Sequence, residues 1–261
     1  MQIKLAVTGK GGVGKTTVCA LLSRALVARG RQVVAIDADP DANLAACLGY
    51  AQPESIRPLV ELKSLIAERT GVQPGTTGGM FRLNPFVADI PASYAVDIDG
   101  VKLLVAGGVK QGGAGCYCPE NAFLRALIAH LLLDPDAALT LDMEAGIEHL
   151  GRGTVRCVDR LLIVVDPGRR GVETARRIRS LAADIGLRQI SVIGNKIRTP
   201  QDENYLRQAL PDMDLAGFLP YDEQVCEAER SGMAPWDASA KLRQALEPIL
   251  QHLEAPPKKQ D

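Results

Sequence analysis

Residues 9–16 read Gly-Lys-Gly-Gly-Val-Gly-Lys-Thr, a match at every fixed position to the pattern G-x-x-x-x-G-K-S/T, and no other feature constrains the chain as strongly. The stretch follows an apolar run at residues 3–7 and precedes an amphipathic run from Lys15 to Ala28. A glycine-rich turn between a buried strand and a helix N-terminus leaves backbone N–H groups unpaired and facing one point, where the helix dipole adds partial positive charge. Gly9 opens this loop, and the N–H groups of Gly11, Gly12, Val13, Gly14 and Lys15 are placed to cradle phosphates. Lys15 is then expected to reach the β- and γ-phosphates, Thr16 to offer its hydroxyl to Mg²⁺, and Thr17 to contact the α-phosphate.

The rest of the chain repeats the same alternation. Short apolar runs at 33–36, 139–141, 161–165 and 190–193 read as buried strands of a parallel sheet. Amphipathic runs, Pro119 to Leu133 and 172–185 among them, read as helices. The expected fold is therefore α/β, a doubly wound and mostly parallel sheet with helices on both faces. One hairpin is expected to interrupt it, with 94–98 and 101–105 flanking the turn dipeptide Asp99-Gly100. Glycine-rich stretches at 71–79 and 107–115 are followed at once by renewed patterning, so they read as loops and not as linkers. Residues 1–261 are read as one P-loop domain with a frayed tail at 255–261.

Thirty Lys plus Arg against 31 Asp plus Glu leave a net charge of -1. No global field then draws the protein to nucleic acid or to an anionic membrane. The longest strongly apolar stretch, 123–133, is broken by Arg125 and His130, short of the roughly 20 residues of a membrane span. The opening residues lack the apolar core of a signal peptide, so a cytoplasmic protein is expected.

Two acidic segments sit where a parallel sheet presents its ligands, just after apolar strands. The first, after 33–36, carries Asp37, Asp39, Asp41 and Asn43. The second, after 139–141, carries Asp142, whose position suits a carboxylate that holds Mg²⁺ through water. Asn195 and Lys196 follow the strand at 190–193, as a guanine-reading Asn-Lys-x-Asp element would, but Arg198 stands where the carboxylate is needed. Guanine presents N–H donors that Arg198 cannot accept, so ATP is expected over GTP, with the Asn195 amide available to adenine.

Six cysteines in 261 residues are too sparse for a disulfide framework. Cys116 and Cys118 form a Cys-Tyr-Cys segment just before Pro119, the start of a helix. In extended chain, residues i and i+2 face the same side about 6.6 Å apart, and a helix N-terminus favours the thiolate. Two thiolates fall short of a closed four-ligand site, but a symmetric dimer would supply four, suited to Zn²⁺, Cu⁺ or thiolate-bound Ni²⁺. His130 lies about 18 Å along the helix from this pair and is not a further ligand. Cys19, Cys47, Cys157 and Cys226 read as small buried hydrophobes, and His149 as ordinary packing or surface.

The second lysine of the loop, Lys10, resembles the deviant P-loop of the MinD, ParA and nitrogenase iron-protein class. That resemblance implies a dimer in which Lys10 crosses to the partner's phosphates. It also implies that Asp39 orients or deprotonates the attacking water, that the N–H of Gly146 faces the γ-phosphate, and that Pro220, Tyr221 and Asp222 flank adenine. The combination of GKGGVGKTT, IDADPDANLA, GCYCPE, LDMEAGIEHLGRGT and a late Asn-Lys is similar to the CooC-type ATPases that mature nickel-containing carbon monoxide dehydrogenase. This closer resemblance covers nearly the whole chain. It implies a homodimer that hydrolyses ATP to ADP, carries Ni²⁺ between its Cys116 and Cys118 pairs, and delivers it to the apo-enzyme.

Two other readings have residues behind them. A ParA- or MinD-like positioning ATPase finds support in Arg169, Arg170, Arg176, Arg177 and Arg179, but these read as a solvated helix face beside Glu173. An electron-transfer protein like the nitrogenase iron protein would place its two cluster cysteines in separate segments, whereas here they stand two residues apart.

Overall fold

The computed structural model describes residues 3–74, 80–107, 119–133, 137–144 and 158–255. Cys116, Cys118, Gly146, His149, Cys157 and the tail beyond Ala255 lie outside them. The order of the main elements is β1 (Lys4–Gly9), α1 (Lys15–Ala28), β2 (Val33–Asp37), α2 (Leu44–Cys47), α3 (Lys63–Thr70), α4 (Ile90–Tyr94), β3 (Val96–Ile98) and β4 (Val101–Val105). Then follow α5 (Pro119–Leu133), β5 (Ala138–Asp142), β6 (Arg160–Val165), α6 (Arg169–Asp184), β7 (Ile190–Ile197), α7 (Pro200–Ala209), β8 (Asp214–Pro220), α8 (Glu223–Ser231), α9 (Pro235–Ala238) and α10 (Ala240–Glu254).

The eight strands form one sheet in the order β3-β4-β2-β5-β1-β6-β7-β8. Only β3 runs antiparallel to its neighbour. β1, β2, β5 and β6 are mostly apolar and, but for Lys4 at the edge of β1, buried throughout, as strands covered on both faces must be. One core lies under α1, α2 and α10, built on Leu5, Val7, Leu22, Leu26, Leu103 and Ile249. The other lies under α3, α5 and α6, built on Ile36, Ile66, Phe123, Leu127, Ile163 and Ile178. The expected doubly wound architecture is present. Among the described residues no helix is long and apolar enough to cross a membrane.

Three boundaries differ from the sequence expectation. The hairpin turn forms at Asp99 and Gly100, with φ of 47° and 84° as a tight two-residue turn requires, but its first strand begins at Val96, because 90–94 close a short helix with Pro at its first turn. β7 runs on past residue 193 to Ile197, so Asn195 and Lys196 stand inside the strand and not after it. β8 is absent from the sequence expectation, because its internal glycine and its terminal Asp and Pro hide an edge strand from periodicity.

Candidate active site

The C-terminal ends of β1, β2 and β5 meet beneath the N-terminus of α1. Gly9 ends β1 so close to β6 that a Cβ would lie 2.4 Å from the Val164 carbonyl oxygen. Gly12 and Gly14 take φ of 79° and 94°, a region that favours glycine, and Gly14 caps α1 in the left-handed conformation. Val13 is buried, with Lys15 and Thr16 behind it as the first residues of α1. Lys15 is buried, and its ammonium stands 3.9 Å from the Asp39 carboxylate. Lys10 is half-buried, and its carbonyl accepts the Val13 N–H at 3.4 Å.

Asp37 and Asp142 are register partners across the β2–β5 pair and both are fully buried. Two residues before Asp142, on the same strand face, Thr140 lies 2.7 Å from the Ser23 hydroxyl of α1, which places the carboxylate on the α1 side. Burial pushes the Asp37 carboxyl up to about 6, against hydrogen bonds from the Leu44 and Asp39 N–H groups at 2.8 and 3.2 Å. Asp37 therefore braces the turn that carries Asp39 and Asp41, and Asp41 N–H in turn bonds the Asp39 carboxylate at 3.1 Å. Burial pushes Asp142 further, to about 7, although the nearby Thr16 hydroxyl and Lys15 ammonium favour its charge. Neither Asp142 oxygen has a hydrogen bond of proper geometry. The two open oxygens of Asp142 and the neighbouring Thr16 hydroxyl are the donor set here that could hold a hydrated cation.

On the other side of the loop stand residues from β7 and β8. The Asn195 amide donates to the Val13 carbonyl at 2.8 Å, and the Lys196 ammonium donates to the Gly12 carbonyl at 2.7 Å. The amide that the sequence reading offered to adenine is thus engaged with the loop itself. Arg198 lays its guanidinium 3.6 Å over the Tyr221 ring, next to Pro220 at the end of β8. Asp222 caps α8 through the Gln224 N–H at 3.0 Å and accepts the Ser239 hydroxyl at 2.5 Å, which lowers its carboxyl. Periodicity missed these contacts, because the partners are separated by up to 184 positions along the chain.

Of the described cysteines, Cys19 is buried as expected, whereas Cys47 and Cys226 are only half-buried. Burial raises Cys19 well above the ordinary thiol range and Cys47 to about 12, the latter beside the Thr17 hydroxyl. Cys226 lies 3.7 Å from the Tyr221 hydroxyl. Among the described residues no group of three or more His, Cys, Asp or Glu is arranged to hold a metal ion.

Comparison with known proteins identifies the family. Residues 4–236 match the model of the CobQ/CobB/MinD/ParA nucleotide binding domain. The chain is 45% identical over 243 residues to the carbon monoxide dehydrogenase accessory protein CooC of Rhodospirillum rubrum, covering 92% of each protein. It is 40% identical over 254 residues to an uncharacterized ATP-binding protein of Methanocaldococcus jannaschii, covering 96% of this chain and 97% of that one. Its fold superposes on a chain of the MinC:MinD cell division complex of Aquifex aeolicus with a TM-score of 0.71 at 21% identity, over 100% of this chain and 99% of that one. The chain belongs to the CobQ/CobB/MinD/ParA nucleotide-binding family and, within it, to the ATPases related to CooC.

Proposed function

We propose that this ATPase is a cytoplasmic maturation factor that uses ATP to deliver Ni²⁺ to apo carbon monoxide dehydrogenase. The observation that carries the reading is the 45% identity to CooC over 92% of both chains, in a sequence that sets Cys116-Tyr117-Cys118 directly before α5. Thr16 and Asp142 would hold Mg²⁺, which would supply positive charge against the phosphates; the open oxygens of Asp142 fit that role. The loop amides and Lys15 bind the phosphates. Asp39 lies 3.9 Å from the Lys15 ammonium, where a phosphate held by Lys15 would leave its carboxylate beside the attacking water to orient it. Lys10 reaches the phosphates of a second copy, so that hydrolysis and dimer contact depend on each other.

The cargo ion, Ni²⁺ or Zn²⁺, is bound by Cys116 and Cys118 of two copies, which together give the four thiolates a closed site needs. A nucleotide state that alters the dimer then alters metal affinity by the same coupling free energy that metal exerts on nucleotide. The test is metal titration with parallel sedimentation, for wild type and a Cys116→Ser/Cys118→Ser variant, with and without MgATP. One ion per two chains, lost in the variant while ATP still binds, is expected. One ion per chain, indifferent to ATP and to the substitutions, would refute the shared site and leave a positioning ATPase as the better reading.

A further inference from the structure

We infer that one flank of α6 is a docking stripe for a protein partner, which presents an acidic helix to it. The inference rests on the reading of this chain as an ATPase that hands its cargo to a protein client, and it names the surface and the chemistry of that contact. α6 carries five arginines, at 169, 170, 176, 177 and 179. The sequence expectation is a solvated face shared with Glu173, but the structure divides the five. Arg169 takes the Glu173 carboxylate at 2.8 Å, and Arg176 donates to the Ala209 carbonyl at 2.7 Å, on the α7 side. Among the described residues no carboxylate pairs with Arg170, Arg177 or Arg179. Arg170 and Arg177 share a stripe with Thr174 and Leu181, at i, i+4, i+7 and i+11 of the helix. Val172, Ala175, Ile178 and Ala182 take the face buried against the sheet, and Arg179 falls on the opposite flank.

The composition of the stripe selects the class of partner. Arg170 and Arg177 are exposed, Leu181 is 37% exposed, and the Thr174 hydroxyl donates to the Arg170 carbonyl of its own helix at 2.9 Å. Arginine beside apolar surface is what protein interfaces enrich. Two guanidiniums neutralise only two phosphates, too few for a stable nucleic-acid complex, and a phosphate backbone leaves Leu181 unused. A membrane surface calls for about four or more basic residues beside a broad apolar face. The net charge of -1 adds no field toward either. The spacing then sets the partner's pattern. Seven residues of helix rise about 10.5 Å, so a helix lying along the stripe meets both guanidiniums with carboxylates seven residues apart, each taken in arginine's two-pronged geometry. An apolar residue four positions further on meets Leu181. Gly9 of β1 pairs with Val164 of β6, and a Cβ at Gly171 would run into the Asp166 carboxylate just past β6. The first turn of α6, with Arg170, is therefore seated at the sheet end that carries the phosphate loop, and a partner on the stripe reaches the end where nucleotide binds.

The experiment measures binding of apo carbon monoxide dehydrogenase to the MgATP-loaded protein by biolayer interferometry, at low and at raised salt. The variants are Arg170→Glu, Arg177→Glu, Leu181→Ala and, as a charge reversal on α8, Arg230→Glu. Each reversal on the stripe should weaken the complex by about tenfold or more, mainly through the association rate, and by less when salt screens the charges. Leu181→Ala should cost about threefold at either salt concentration, the scale of a few methyl and methylene contacts. Arg230→Glu should bind as wild type does, and every variant should keep wild-type ATP affinity and wild-type sedimentation with MgATP. All four side chains are exposed, so the variants are expected to fold. Equal affinity for the enzyme in wild type and the stripe variants would overturn the inference. Loss of association between copies in the stripe variants would make the flank a contact of the protein with itself, and duplex DNA bound by wild type but not by Arg177→Glu would make it a nucleic-acid surface; either result overturns it. A wild type that binds no apo-enzyme in any nucleotide state would instead remove the client reading, and the inference with it.

Discussion

Aspartates at opposite ends of the same sheet are in opposite states. At the C-terminal ends of β2 and β5, burial lifts Asp37 to about 6 and Asp142 to about 7, and both oxygens of Asp142 are left open. At the N-terminal end, Asp214 opens β8 and one of its oxygens meets the Ser191 hydroxyl at 2.5 Å, the Arg160 guanidinium at 3.1 Å and the His252 ring at 2.9 Å. Burial works against the Asp214 charge, but the hydrogen bonds from Ser191 and His252 and the charge of Arg160 hold the carboxyl below its ordinary value. One end satisfies its acid and clamps β6, β7, β8 and α10 together. The other end satisfies Asp37 from the backbone but leaves Asp142 without a hydrogen bond, and a desolvated carboxylate without partners is a stability cost that a ligand can relieve.

Substitutions that exchange the two behaviours test the contrast. The largest effect is expected at Lys15: Lys15→Ala should weaken ATP binding by roughly a hundredfold or more, as loss of a buried charge partner does, read by calorimetry. Asp142→Asn should lower ATP turnover by about a hundredfold, the scale of losing one electrostatic contact in an enclosed site, yet leave the thermal unfolding midpoint unchanged or higher, because a buried charge has been removed. Asp214→Asn should do the reverse. It leaves Arg160 underpaired, and with the discount for a partly exposed partner it is expected to cost about 2 kcal/mol, or about 4–8 °C in the unfolding midpoint, with ATP affinity unchanged.

The last effect is in the pH dependence of stability measured without nucleotide. For Asp37 and Asp142 the folded-state values, about 6 and about 7, lie above the ordinary 3.8, so the native state binds more protons than the unfolded state through that interval. Stability therefore falls as pH rises through the same window. Asp214 is lowered, so its contribution is present above the ordinary carboxylate range and is lost on acidification below it. Urea midpoints at several pH values should show the decline toward neutral pH in wild type and a flatter profile in Asp142→Asn.

How legible each end was from sequence follows from how local its chemistry is. The strand, loop and helix at residues 4–28 announce themselves, because the glycines, Lys15 and Thr16 act within one turn of chain. Asp142 was legible as the polar residue that ends an apolar strand. Asp37 was legible only as one of several acids after β2, with no role of its own, since its bonds from the Asp39 and Leu44 N–H groups require the folded turn. Asn195 and Lys196 were noticed for their residue types but set after the strand, because polar residues following Gly194 look like a loop until the P-loop is packed beside them. The clamp at Asp214 had no signature at all: Arg160, Ser191 and His252 lie 54, 23 and 38 positions away from it.

The most direct measurement is a carboxyl ¹³C titration of the aspartates, with and without MgADP. Without ligand, Asp142 should titrate near 7 and Asp214 below the ordinary carboxylate value. With MgADP, the Asp142 titration should move down toward or below the ordinary range while Asp214 stays where it was. An Asp142 that titrates normally in the free protein, or one that MgADP leaves unmoved, would contradict the assignment of this end of the sheet as the nucleotide site.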